Sequence, residues 1–219
     1  MIYDLYVITD VKIARGLSHA EIARRAVSGG ADVIQLRDKS LPCRDLLCEA
    51  FEIREITRAA GALFIVNDRI DIALAAGADG VHLGQDDLPV RYARRLAPSG
   101  FIIGVSVGCV TEAAMAEASG VDYVALSPTL TTASKEDAGQ GLGLAVLHDI
   151  CCAVSIPVIA IGGIGPGNVT EIITAGADGV AVISAVVGEE DITGAARQLK
   201  SLIRCAKTAV HPVEGADIP

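Results

Sequence analysis

The chain has 219 residues, 51% of them hydrophobic and 21% charged, which fits a folded globular domain and excludes a disordered, collagenous or coiled-coil chain. A formal net charge of -9 gives no basic field to hold nucleic acid or an anionic membrane, and 3% aromatics without Trp leave no stacking platform for single-stranded nucleic acid. The opening MIYDLYVITDVK is acidic and only briefly apolar, and no run approaches the roughly 18 to 20 apolar residues of a membrane span. A soluble, cytoplasmic protein is expected. Composition leaves room for a homo-oligomer. The cysteines (Cys43, Cys48, Cys109, Cys151, Cys152, Cys205) have no CxxC spacing and read as small apolar residues in a reducing compartment.

In chain order, the first apolar run is Leu5 to Ile8, with a helix expected from about Ser18. Then SGGADVIQLRDK (Ser28 to Lys39) introduces a pattern that returns as AGADGVHLGQDD (Ala76 to Asp87), ASGVDYVALSP (Ala118 to Pro128) and AGADGVAVISA (Ala175 to Ala185). Each joins a small-residue helix end, a Gly suited to a left-handed cap, an Asp and a short apolar run, which is a helix-to-strand turn. Further strands are expected at Leu63 to Val66, Phe101 to Val105 and Pro157 to Ile161. Helices are expected from about Arg44, Arg69, Val90, Thr111, Leu144, Gly167 and Asp191.

The strands are apolar throughout, not alternating, as in a parallel sheet covered on both faces. About eight βα units in a chain of this length match a single (β/α)8 TIM barrel, an α/β fold. The competing arrangement is an open doubly wound sheet, but no GxGxxG follows the first strand. The barrel is expected over 1–209, with 210–219 as a disordered tail.

In a barrel, function collects where strands end. The second strand ends in QLRDK, so Gln35, Arg37 and Lys39 alternate onto one face, either towards the barrel mouth or as a solvated strand end. Asn67 and Asp68 end the third strand, and Asp87 follows the fourth. Two carboxylates on neighbouring strands suit Mg²⁺, but Asn67-Asp68 and Asp86-Asp87 also precede helices, where such residues are ordinary caps. His82, mid-strand, reads as a hydrogen-bonded core residue. Ser106 reads as a donor to an anionic oxygen, since no Ser-His-Asp pattern surrounds it. The segment after the sixth strand is a lid or a plain surface loop. Its Thr132, Ser134 and Lys135 would grip a phosphate. Gly162 and Gly163 after the seventh strand, and Ser184 after the eighth, stand where barrels bind phosphate.

QLRDK, IVNDR, DGVHLGQDDLP, GVS, SPTLTTASK, VIAIGGI and DGVAVISA, in this order, resemble the thiamine phosphate synthase family from about Tyr6 to Lys200. The resemblance implies a Mg²⁺-dependent transferase that joins 4-amino-5-hydroxymethyl-2-methylpyrimidine diphosphate to a thiazole phosphate and releases pyrophosphate. It implies that Gln35, Leu36, Arg37, Asp38, Lys39 and Asn67 lie against the pyrimidine diphosphate, with Ser106 and Lys135 on the same substrate. Arg37, Lys39, Ser106 and Lys135 take the catalytic roles. Asp68 and Asp87 hold the metal, while Thr132, Ala133, Ser134, Gly163, Ile183 and Ser184 cradle the thiazole phosphate. Two stretches depart from the family pattern, Val107-Gly108-Cys109 after the fifth strand and Thr131-Thr132 in the sixth loop. A thiazole tautomerase of the same fold, or a non-catalytic phosphate-binding barrel, would need no metal site. Gln35, Lys39, Gln85 and Asp87 favour the synthase.

Overall fold

The structure, a computed structural model, describes residues 3–132 and 140–210. Strands β1 (Leu5–Ile8), β2 (Val33–Leu36), β3 (Leu63–Asn67), β4 (Gly80–Leu83), β5 (Ile102–Val107), β6 (Tyr123–Leu126), β7 (Val158–Ile161) and β8 (Gly179–Val182) form a closed parallel barrel in sequence order. The open sheet is thereby excluded. Helices α1 (His19–Ser28), α2 (Cys43–Ala60), α3 (Ile70–Ala75), α4 (Val90–Leu96), α5 (Val110–Ala118), α6 (Leu144–Ala153) and α7 (Val169–Thr174) follow the first seven strands. After β8 come α8 (Ser184–Val187), which the sequence reading did not separate, and α9 (Ile192–Val210). Val210, expected in the tail, closes α9, and 211–219 lie outside the described residues. No helix among the described residues is long and apolar enough to cross a membrane.

The recurring Asp builds the barrel's lower rim. The N–H of Asp32 donates to the Leu5 carbonyl at 2.9 Å, and the Leu5 N–H donates back to the Asp32 carboxylate at 2.9 Å. Asp79 makes the same reciprocal pair with Phe64, Asp122 with Ile103, and Asp178 with Val158, all at 2.7 to 2.8 Å. Each pair clips an even-numbered strand to the odd-numbered one before it. Lys200, Arg54 and Arg94 neutralise Asp32, Asp79 and Asp122 from outside, and the Lys207 ammonium donates to the Asp178 carbonyl. The glycines of the same motif do what was expected of them: Gly30, Gly77, Gly120 and Gly176 all have positive φ, reversing the chain out of the helix.

Inside, the parallel register puts Tyr6, Gln35, Asn67, His82, Gly104, Ser106 and Tyr123 on inward-facing positions. Gly104 makes room for an aromatic neighbour, because a Cβ there would lie 2.0 Å from Tyr123 Cζ.

One reading is corrected. Asp68 and Asp87 are not helix caps, since Arg69 and Pro89 occupy those positions and neither makes a side-chain cap bond. Of the six cysteines, five are exposed and Cys151 is half-buried.

If the reciprocal clips hold the strands in register, removing one should cost about 1 to 3 kcal/mol, the price of an unpaired strand N–H. Asp178 isolates the effect, because its carboxylate makes no ion pair among the described residues. Asp178→Ala is expected to lower Tm by roughly 2 to 4 °C per kcal/mol lost. Asp178→Asn, which keeps an acceptor oxygen, should lose less than half as much by guanidinium denaturation. Equal losses would locate the stability elsewhere.

Candidate active site

A chain of hydrogen bonds crosses the barrel beneath its mouth. Gln35 Nε2 donates to the Tyr6 hydroxyl at 2.7 Å, the Tyr6 and Tyr123 hydroxyls lie 3.1 Å apart, and Tyr123 meets His82 Nδ1 at 2.9 Å. His82 Nε2 then meets Ser106 Oγ at 2.9 Å, and the Gln85 amide donates to the Ser106 carbonyl at 2.6 Å. Gln35, His82 and both tyrosines are buried, so this chain satisfies groups that would be costly if unpaired. Burial pushes the Tyr6 and Tyr123 phenols well above their ordinary range, leaving them as neutral hydrogen-bonding groups. His82 is a hydrogen-bonded core residue, as read from the sequence, and it also reaches Ser106 at the mouth. The sequence reading missed Tyr6 and Tyr123 as part of this chain. Their inward parity relative to Gln35 and Ser106 was the available signal.

Asp68 follows β3 with φ 60°, uncommon for a residue other than Gly. Its N–H is held by the His82 carbonyl at 2.8 Å, and Arg69 N–H closes back on the Asn67 carbonyl at 2.7 Å, so the chain kinks at Asp68. The carboxyl meets that of Asp87. Burial raises Asp68 to about 6, the hydrogen bond and like charge of Asp87 push the same way, and Lys39 and Arg37 pull against them. Asp87 is itself oriented by Gly84, whose N–H donates to Oδ2 at 2.7 Å. Two carboxyls forced together beside two cations match a hard-cation donor set. Among the described residues no cluster of three metal-ligating side chains exists, so such a cation would take its other ligands from water and phosphate.

The structure separates the members of QLRDK. β2 ends at Leu36, so Gln35 points into the barrel and Leu36 is buried on the opposite face, towards the helices. Arg37 and Lys39 belong to the loop beyond, where their charge acts on Asp68. The expected single alternating face therefore does not extend past the strand. The Asp38 carboxylate is turned to its own loop: Oδ1 accepts from the N–H and hydroxyl of Ser40 and from Leu41 N–H, and Oδ2 lies 3.2 Å from His19 Nε2.

Across the mouth, β7 and β8 open on a cleft lined by Ser127, Pro128, Thr132, Gly162, Gly163 and Ser184. The segment after β6 runs beside the end of β7, with Thr129 N–H on the Ile161 carbonyl and Leu130 N–H on the Gly162 carbonyl. Gly162 and Gly163 have φ 101° and 66°, and a Cβ on Gly163 would lie 2.7 Å from the Thr131 carbonyl. Only glycine fits there. Asn168 fixes the turn by donating to the Gly163 carbonyl and accepting from Gly165 N–H. Ile183 is buried and its carbonyl receives the first N–H bonds of α8, whose first residue is Ser184. Ala133, Ser134 and Lys135 lie outside the described residues.

The geometry has counterparts among known proteins. A family model described as thiamine monophosphate synthase matches residues 5–186. A thiamine-phosphate synthase of Methanoculleus marisnigri is 66% identical, covering 94% of this chain and 97% of its own. One from Moorella thermoacetica is 50% identical, with 94% and 98% covered. The solved thiamine phosphate pyrophosphorylase from Pyrococcus furiosus superposes with a TM-score of 0.87 at 42% identity, covering 93% of this chain and 96% of its own. With a matching barrel, a carboxyl pair beside two cations and a glycine-built cleft, this chain belongs to the thiamine monophosphate synthase family.

Proposed function

We propose that this chain joins 4-amino-5-hydroxymethyl-2-methylpyrimidine diphosphate to thiazole phosphate, giving thiamine phosphate and pyrophosphate, in the cytoplasm and with Mg²⁺. The observation that carries this reading is the pairing of Asp68 with Asp87 next to Arg37 and Lys39, facing the glycine cleft across one barrel mouth. A barrel that only bound or isomerised a thiazole phosphate would have no use for the carboxyl pair.

In this reading Gln35, Arg37, Lys39 and Asn67 hold the pyrimidine diphosphate, with Ser106 and Lys135 on the same substrate. Leu36 contributes through its backbone, and Asp38 shapes the loop without touching the ligand. Thr132, Ala133, Ser134, Gly163, Ile183 and Ser184 receive the thiazole phosphate. Asp68 and Asp87 would hold Mg²⁺, which supplies positive charge to a diphosphate leaving group.

The step breaks the carbon–oxygen bond between the pyrimidinylmethyl carbon and diphosphate. The bonding electrons leave with pyrophosphate, and the thiazole nitrogen donates its lone pair to the carbon. No proton moves at the reacting atoms, so no general base is needed. The work of the protein is to hold donors where negative charge grows, and to keep water from the cationic carbon. Arg37, Lys39 and Ser106 suit the first task. The buried phenols beneath the mouth line its floor with neutral groups, which suits the second.

Mixing the purified protein with both substrates and Mg²⁺ should yield thiamine phosphate and equimolar pyrophosphate. A folded protein that forms no product would point to the tautomerase. Asp87→Ala is expected to lower kcat on the order of 10² to 10³-fold, the usual loss for one electrostatic contact to a leaving group. Full activity in that variant would remove the metal assignment.

The carboxyl pair makes a second prediction. Because Asp68 is raised from 3.8 to about 6, the folded state binds its proton more tightly than the unfolded one. In EDTA, stability should fall as pH rises from about 4 through 6. Asp87→Asn removes the like charge, so it should lower the Asp68 midpoint in a ¹³C-carboxyl NMR titration and stabilise the protein above pH 6. An unmoved midpoint would mean that the two carboxyls do not interact.

A further inference from the structure

We propose that His19 is a positioning residue for the diphosphate half of the site: it holds the Asp38 carboxylate aside, so that this anion does not compete with the diphosphate for Arg37 and Lys39. The inference rests on the reading above, in which those two cations face the diphosphate.

Asp38 sits between Arg37 and Lys39 in the chain, which makes it the covalently nearest anion to both. Left to rotate, its carboxylate would mimic the ligand. Among the described residues its partners are instead His19, Ser40 and Leu41. Oδ1 takes the Ser40 N–H and hydroxyl at 2.7 Å and the Leu41 N–H at 2.8 Å, while Oδ2 lies 3.2 Å from His19 Nε2. The Asp38 side chain is only 7% exposed. Burial pushes this carboxyl up, but the bonds from Ser40, Leu41 and His19 outweigh it and bring it down to about 2. The carboxylate is therefore stable as an anion where it lies.

The Ser40 and Leu41 bonds are local to the loop. The His19 bond is the one that ties the loop to the barrel. His19 is the first residue of α1, 1% exposed, and its Nδ1 is 2.7 Å from Thr9 Oγ1. Thr9 in turn accepts from the Arg37 N–H at 3.4 Å, and its own N–H donates to the Gln35 carbonyl at 2.9 Å. One ring, with a nitrogen at each side, thus spans from the end of β1 to the loop after β2. Nδ1 and the Thr9 hydroxyl form the ring's second hydrogen bond, and the same hydroxyl also reaches the Gln35 carbonyl at 3.2 Å. Ser18 Oγ caps the Glu21 N–H and fixes the start of α1, and Glu49 of α2 accepts from Ala20 N–H. The ring is held from both sides.

The test uses the full chain with Mg²⁺ and both substrates, and inorganic pyrophosphate as a probe of the diphosphate half. His19→Ala should raise both the KM for pyrimidine diphosphate and the Ki of pyrophosphate about tenfold, the effect of one lost buried hydrogen bond. The KM for thiazole phosphate should stay within about twofold of the parent, since among the described residues neither side-chain hydrogen-bond partner of His19, Thr9 or Asp38, lines that half. His19→Gln supplies a donor for Asp38 and an acceptor for Thr9, and should bring both constants back to within about threefold. Where His19→Ala fails to fold by circular dichroism, Thr9→Val, a near-isosteric change that removes the ring's other anchor, decides on the same two constants. A loss shared equally by both substrates, unchanged pyrophosphate inhibition, or no rescue by Gln overturns the role. Arg37→Ala is the control for the underlying reading. If it leaves pyrophosphate inhibition unchanged, the diphosphate does not bind this loop and the proposal fails with that assignment, whereas an effect of Arg37→Ala with none from His19→Ala rejects His19 alone.

Discussion

The barrel depends on how its strands are held in register at the lower rim. In each of four strand pairs an Asp backbone N–H and its carboxylate both bond one residue of the preceding strand, which fixes that pair in position along the barrel axis. A slip of one residue would turn every inward side chain out towards the helices. Gln35, Asn67, His82 and Ser106 face inward only in the observed register. The chemistry at the upper rim is therefore set by bonds at the lower one, through strands only four to six residues long. That is why Asp recurs with the same glycine and apolar neighbours, and why each copy leads to a different functional end.

The interior between the rims is polar to an unusual degree for a barrel core. The line from Gln35 through Tyr6, Tyr123 and His82 to Ser106 replaces a layer of aliphatic side chains. Such a network stabilises only if it is complete, since an unpaired member loses its hydration without compensation. Among the described residues no buried side-chain N or O lacks a partner. Completeness here requires space as well as chemistry, and Gly104 supplies it by leaving the Tyr123 ring a place beside β5. The hydroxyl of Ser106 at the mouth is in this way tied to residues on four other strands, which makes it a fixed donor or acceptor and a poor candidate for a mobile nucleophile.

How much of this was legible in the sequence varies with the range of the interaction. The fold was legible because a buried parallel strand writes itself as a short apolar run, and a helix-to-strand turn as Gly followed by Asp. Asn67, Asp68, Asp87 and Gly163 were legible because strand ends in a barrel converge. The cap reading of Asp68 and Asp87 could not be decided locally: the same residues cap helices elsewhere, and only the positive φ of Asp68 and its contact with Asp87 separate the two. Tyr6 and Tyr123 looked like ordinary core aromatics, since their hydroxyl partners lie on other strands. Asp38 was assigned to the ligand by its place in QLRDK, and nothing in the sequence links it to a histidine 19 residues earlier.

The net charge of -9 and the anionic substrates of the proposed reaction are compatible because charge acts over short distances here. In salt near physiological strength, exposed charges farther apart than about 8 Å are largely screened from one another. What the mouth presents locally is the set of Arg37, Lys39, Asp68 and Asp87, not the net charge of the whole chain. The two halves of that mouth also differ in kind. The β7 and β8 side is shaped by backbone and by Gly162 and Gly163, with Ser127, Thr132 and Ser184 along its lining. The β2 to β4 side is built from charged side chains in strained or tethered loops, each replaceable one at a time. A barrel could therefore lose the second half and keep the first, becoming a thiazole phosphate isomerase or binder. The presence here of both carboxyls, both cations and the contacts that orient them is what separates this chain from that outcome.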